Sequence, residues 1–434
     1  MKTTKSLGFK ELLAIAIGGM VGGGIFTILG ISVSMVGFLA PFAIAFGGII
    51  AWFAAYSYVK LGVYYKDEGA TYAFFKRTYP NTHMAASFIG WYTIFGYIST
   101  LSLYAYTFSA YALSGFDFSQ NELFRKLLAI SIIVFFAFVN IWSVKGMGKL
   151  EDIMVYLKLF ILFVISMVLI FFANVDLNNF VLTIKNDFSS TSMMSILMVS
   201  SITFVAYEGF QLVINAVNDM EDPDINIPKA IYWAIVLVAL IYFIIALSAI
   251  VAIPVDDLIQ NKESALATGA GQIMGNLGQN LVVFGAILAT SSAINGTLFG
   301  SSHQMARIAQ DGYFPKILIK RKNNIPYMAI ITMSVISSLL ILVGGLQLIL
   351  EFGSITFLLV SLLMAIANFK IRTKTNSSFI ITIISMFGLS IGASLIIYYE
   401  YITNKEQLLF IFILYILLTL SAWIYANFIK NKIS

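Results

Sequence analysis

This sequence predicts an all-α, polytopic membrane protein of about twelve helices, and three observations carry that prediction. Hydrophobic residues make up 59% of the 434 and charged residues only 11%, far from the balance of a water-soluble domain. The apolar residues gather into runs of about 20 or more separated by short polar loops, the length a helix needs to cross a bilayer. Most of the 26 lysines and arginines fall on alternate loops, those facing the side of the N-terminus, while Arg125, Lys126, Lys185, Lys262 and Lys405 fall on the opposite side. That asymmetry predicts both termini in the cytoplasm.

In order, the spans are expected at 11–36, 38–64, 84–113, 123–143, 149–174, 192–218, 228–253, 277–308, 325–343, 346–368, 377–398 and 406–429. Met1–Lys10 carries no small-residue cleavage site and the first apolar run is too long for a signal segment, so it is expected to be a retained first span. Trp91, Tyr92, Tyr398, Tyr399 and Tyr401 suit an aromatic belt at the membrane surfaces. The charge run Lys320–Lys322 before span 9 reads as topology and contact with anionic lipid, not as a nucleic-acid site.

Two spans break the helical rule at matching places. In span 1, residues 18–24 hold five glycines in seven positions, each costing about 1 kcal/mol against alanine in a helix interior. Close helix packing would use Gly18 and Gly22, but the consecutive Gly22, Gly23 and Gly24 exceed that need, so the helix is expected to open there. In span 6, Glu208 and Gly209 set a carboxylate and a glycine at mid-membrane. Five is odd, so spans 1 and 6 head two five-span halves of opposite orientation. This is the inverted-repeat pattern of transporters, in which two interrupted helices flank a midplane site. It divides a single membrane domain, 1–434, into a first repeat at 11–174, a second at 192–368 and two additional helices at 377–429.

Lys158 sits near the middle of span 5, nine residues beyond Lys149 and roughly 14 Å deep at ~1.5 Å per residue. A lone intramembrane lysine costs ~2.5–3.5 kcal/mol, so it has a partner, faces a wet cavity or gives up its proton. Cysteine is absent, and His83 and His303 are the only histidines. Disulfides, thiol chemistry and Cys-ligated metals are thereby excluded, and no cofactor or metal is expected. No paired histidines or acid-rich helix inside the spans suggests an enzyme. A channel would want a continuous polar pore, whereas the polar residues cluster at mid-depth in spans 1, 5, 6 and 8.

At these residues the chain resembles the amino acid-polyamine-organocation (APC) superfamily. Gly22-Gly23-Gly24-Ile25-Phe26 is similar to its G-x-G-[ILT]-F signature, and Phe204-Val205-Ala206-Tyr207-Glu208-Gly209-Phe210 to its F-x-A-Y-x-G-F segment. Tyr58–Gly62 with Glu68–Phe74 resembles the loop after span 2. Asp222–Ile231 resembles the stretch before span 7, and Ala306–Lys316 the A-x-A-x-D-G-x-x-P loop after span 8. Together these cover roughly residues 10–320 in family order. The resemblance implies a LeuT-type fold and secondary transport of amino acids or amines in the inner (plasma) membrane, with proton symport or exchange as the mode. Its partners would be that small-molecule substrate, protons and the bilayer.

The opened span 1 exposes N–H groups and a positive helix end at Gly22, Gly23, Gly24 and Ile25, suited to a substrate carboxylate. Freed carbonyls of Phe204, Val205 and Tyr207 would accept from an α-ammonium. The Phe204 ring either closes over the ligand or simply packs. The resemblance gives Lys158 the place of the second sodium in sodium-coupled relatives, contacting the Gly18 carbonyl region and the hydroxyls of Ser291 or Ser292. Ser291, Ser292 and Asn295 would serve equally as bonds between helices. Glu208 departs from the family pattern, and Gln211 stands where some relatives carry an acid. Ionised, Glu208 would attract an extra positive charge on the ligand; protonated, it would donate a hydrogen bond, carry a proton or tie helices together. Glu11, Glu151 and Asp152 are expected at the cytoplasmic helix ends, Glu351 at the outer interface, and His303 as a helix-packing residue.

Overall fold

The computed structural model describes residues 7–142, 147–173, 177–322 and 324–433. Among them the only β-type pairings are two isolated bridges, Leu7 with Met220 and Lys322 with Ile325. In chain order the α-helices are α1 (Phe9–Met20), α2 (Gly24–Val36), α3 (Ala40–Tyr65), α4 (Ala70–Thr78), α5 (His83–Leu113) and α6 (Glu122–Trp142). There follow α7 (Met147–Phe172), α8 (Leu177–Ser190), α9 (Met193–Ile202), α10 (Leu212–Asn215), α11 (Pro223–Ala252) and α12 (Val255–Gln260). The last five are α13 (Ala265–Gln310), α14 (Tyr327–Val343), α15 (Leu346–Lys370), α16 (Phe379–Thr403) and α17 (Lys405–Ile433).

Among the described residues nine stretches are long and apolar enough to cross a membrane, one of them, Gly24–Tyr65, running through both α2 and α3. Helix α5, at the third expected span, carries many tyrosines and serines, and α14 is only 17 residues long, so neither is among the nine. The polar content of α5 reflects its place at the centre of the bundle, where it packs against α13, α15 and α17. Large apolar side chains such as Phe135, Phe138, Phe160, Phe163, Ile416 and Leu420 face outward, as a lipid-facing surface requires.

The sequence expected loops where α4, α8 and α12 form. These helices are short or mixed in polarity, and their docking onto the bundle, not an apolar run, marks them. α13 begins twelve residues before the expected start of span 8. Gly275, at φ +65° and ψ −159°, bends it there, so a short helical segment leads into the span proper.

Candidate functional site

The glycine run ends α1 at Met20. Val21 N–H still reaches the Ile17 carbonyl at 2.8 Å, but Gly22 N–H turns to Met20 O at 2.9 Å. Gly18 O thereby loses its regular helical donor, and Lys158 Nζ donates to it at 2.7 Å. Lys158 is 1% exposed, so its ammonium exchanges water for a carbonyl that the sequence frees one turn before the break.

Span 6 opens by a different route. α9 stops at Ile202, residues Thr203–Tyr207 form a 3₁₀ turn, and Glu208 is extended at φ −69° and ψ 140°. Gly209 follows at φ +128°, so close to span 1 that an added Cβ would lie 2.5 Å from Gly19 C. Only glycine fits both demands. The two breaks are stitched together by Tyr242 on α11, whose hydroxyl lies 2.8 Å from Met20 O and 3.0 Å from Ala206 O.

A cavity of about 950 Å³ reaches this junction. Gly18, Gly19, Tyr97, Tyr104, Glu208, Gly209 and Ser292 line its deep part, and Glu68, Arg307 and Arg321 its mouth. Glu208 is buried; its Oε2 accepts from Gln211 Nε2 at 2.9 Å, and its Oε1 has no hydrogen-bond partner among the described residues. Gln211 in turn accepts from Gly209 N–H at 3.1 Å and lies 3.3 Å from the Tyr97 hydroxyl. On this wall residue, one carboxyl oxygen is held by Gln211 and the other is buried without a donor among the described residues.

The opposite end is covered. α12 packs on α2, Gly30 lies against the Lys262 backbone with no room for a Cβ, and Arg125 pairs with Glu263. At the mouth, Asp67 accepts Gly69 N–H at 2.8 Å and pairs with Arg77 at 2.6 Å and Arg307 at 3.5 Å, tying the loop after α3 to the end of α13. Beside it the Tyr72 hydroxyl donates to Asp311 at 2.8 Å, and burial pushes its ionisation well above the ordinary tyrosine range.

Of the residues singled out in the sequence, Gly18, Glu208, Gly209, Ser292 and His303 are among those that reach the cavity wall, and Lys158 stands directly behind Gly18. Gly22, Gly23, Gly24 and Ile25 are buried away from it. A Cβ on Gly22 would meet Ala293 at 2.8 Å, on Gly23 Thr290 at 2.8 Å, and on Gly24 Ala206 at 2.7 Å. Phe204, Val205 and Tyr207 are likewise buried off the wall, and Val205 O accepts Glu208 N–H at 3.2 Å. Ser291 is half-buried on α13; Asn295 accepts from Asn140 at 2.9 Å and so bonds α13 to α6. His303 lies on the wall, bonded within its helix to Phe299 O at 2.9 Å. Glu11 accepts from Gly8 N–H at 3.0 Å at the start of α1. The side chains of Glu151 and Asp152 lie outside the described residues.

Glu351 departs from expectation: it is fully buried, because Gln347 and Gln407 hold both of its oxygens inside the bundle. Sequence reasoning also missed Tyr97, Tyr104 and Tyr242. Their signal was available, since a tyrosine hydroxyl inside an apolar span must find a polar partner or a cavity.

These features define an all-α membrane transporter with two interrupted helices meeting at a mid-bundle cavity. A solved manganese transporter from Eremococcus coleocola, captured with an aromatic bis-isothiourea compound, superposes with a TM-score of 0.62 over 96% of this chain and 94% of its own, at 12% identity. That likeness shows the fold, the LeuT-type arrangement. The amino acid permease family profile matches residues 7–422, and the chain belongs to that family. It is 30% identical to the inner membrane transport protein YbaT of Escherichia coli, over 88% of this chain and 87% of that one. It is 23% identical to the branched-chain amino acid permease BcaP of Bacillus subtilis, over 85% and 81%. To the mouse large neutral amino acids transporter small subunit 2 it is 27% identical, over 78% and 65%.

Proposed function

We propose that this chain is a secondary transporter that carries amino acids or related amines across the inner (plasma) membrane by alternating access, coupled to protons and independent of sodium. The bond from Lys158 Nζ to Gly18 O carries the reading: it supplies a positive charge at the span 1 break, where a coupling cation would otherwise be needed. With both termini in the cytoplasm, the cavity mouth at Glu68, Arg307 and Arg321 faces inward and the covered end outward, the inward-open state of the cycle.

In this account Gly22, Gly23 and Gly24 take the substrate carboxylate, and the carbonyls of Phe204, Val205 and Tyr207 its ammonium, once the outer side opens and the closed packing around them loosens. Glu208 Oε1 remains for a further donor on the substrate. The E. coli relative's name supports an inner-membrane location, and the names of the Bacillus and mouse relatives support neutral amino acids as cargo. With neutral cargo Glu208 carries the proton, and with cationic cargo it pairs with the extra amine. Exchange is the second reading, favoured by the same Lys158 bond if it keeps the ammonium permanently charged, because exchange needs no net proton movement.

Purified protein in liposomes, screened with labelled amino acids and polyamines with and without a pH gradient, tests the proposal. Saturable uptake stimulated by substrate on the far side supports it. Flux that does not saturate would make the chain a channel, and conversion of the label into a new compound would make it an enzyme.

A further inference from the structure

A second group of buried acids lies away from the cavity, where the start of α15, the end of α16 and the start of α17 meet. Glu351 and Glu400 are both 0% exposed. Gln347 Nε2 donates to Glu351 Oε1 at 2.9 Å and Gln407 Nε2 to Glu351 Oε2 at 2.7 Å, so an amide holds each Glu351 oxygen. Glu400 is different: among the described residues neither of its oxygens has a hydrogen-bond donor, and its carboxyl group lies against that of Glu351. Tyr399 is the other titratable group beside the pair, and no lysine, arginine or histidine is among the described groups acting on it.

Two ionised carboxylates in contact, out of water and without a cation, repel each other and leave four acceptor oxygens to share two donors. A single proton resolves both problems, since a neutral Glu400 becomes a donor and Glu351 is already dressed as an acceptor. We propose that Glu351 and Glu400 form a second proton-binding site, separate from the transport cavity, which holds one proton between the two carboxyl groups and clamps the outer ends of α15, α16 and α17 together.

The position gives the site a consequence for transport. Within one turn of Glu351, Ser354 Oγ bonds to Ile202 O at the end of α9, and Gly353 lies against Ser99 and Val205, the latter in the span 6 turn. When an alkaline exterior removes the proton, the two charges push α15 and α16 apart and the support behind that turn loosens. Glu400→Gln, which mimics the protonated acid in shape and polarity, keeps the clamp at every pH.

Infrared spectroscopy of the carboxylic-acid C=O stretch reads the site whether or not the chain transports anything. In a Glu208→Gln parent, which removes the acid of the cavity, a protonated-carboxyl band sensitive to deuterium exchange is expected at neutral pH. It should be lost on further introducing either Glu400→Gln or Glu351→Gln. Absence of the band in the parent, or its persistence in either variant, would overturn the proposal, and the parent spectrum alone decides the matter if neither variant folds. A band that disappears when sodium is added at constant pH would make the site a metal-cation site and overturn it equally. Where exchange at equal pH on both sides is measurable, which needs no net proton movement, the wild-type rate should fall several-fold at alkaline pH, and Glu400→Gln should lessen that fall.

Discussion

Removing the charge at Lys158 is the perturbation with the widest consequence. The residue is 1% exposed and donates to Gly18 O at 2.7 Å, a charge-assisted bond of ~1.5–3 kcal/mol. At about 1.36 kcal/mol per factor of ten, its loss shifts any equilibrium that the bond biases by roughly 10- to 150-fold. Lys158→Met keeps most of the buried stem volume and removes only the ammonium. The substitution leaves Gly18 O without its donor, a cost of about 1–3 kcal/mol partly offset by no longer burying the ammonium, so thermal unfolding should fall by only a few degrees. Accumulation driven by a pH gradient in proteoliposomes should nonetheless fall at least ~10-fold, while exchange at equal pH on both sides persists. Lys158→Ala should behave the same in transport and melt lower, since it also leaves a void. Wild-type accumulation by a well-folded Lys158→Met protein would refute the coupling role and leave the lysine as a structural tie.

Glu208→Gln keeps the contact with Gln211 but cannot ionise; loss of cationic substrates alone marks an ionised glutamate, and a flattened pH profile for all substrates marks a proton carrier, both read by uptake against pH. Gly24→Val should abolish ligand-induced thermal stabilisation and lower the melting temperature, since even a Cβ would lie 3.0 Å from the Ala206 backbone; wild-type binding would return the glycine to a passive role. Asp67→Asn removes one charge from a pair of arginines and should lower stability by about 1.5–3 kcal/mol at most, visible as earlier melting and relieved at high salt.

Much of the helical frame was legible because bilayer length writes it directly into residue order. Five glycines in residues 18–24 and the Glu208–Gly209 pair marked both breaks for the same reason: each is expensive in an apolar helix. The state of the machine was not legible. Which residues line the cavity is set by how the two breaks pack in the folded chain, which leaves Gly18, Gly19 and Glu208 on its wall and buries Gly22–Gly24 and the Phe204–Tyr207 turn off it. Glu351 was misjudged because its place near a helix start suggested the interface, whereas its burial depends on Gln407, 56 residues away on another helix. Tyr242 was overlooked because its role depends on two carbonyls that only the folded breaks bring together.

The most direct test of the central claim is whether protons move with substrate. Protein reconstituted in sodium-free liposomes enclosing a pH-sensitive dye should acidify the lumen when a transported amino acid is added outside, and Lys158→Met should abolish the signal while the protein still binds that amino acid. Substrate entry with no change in lumenal pH, or with a strict need for sodium, would contradict the account.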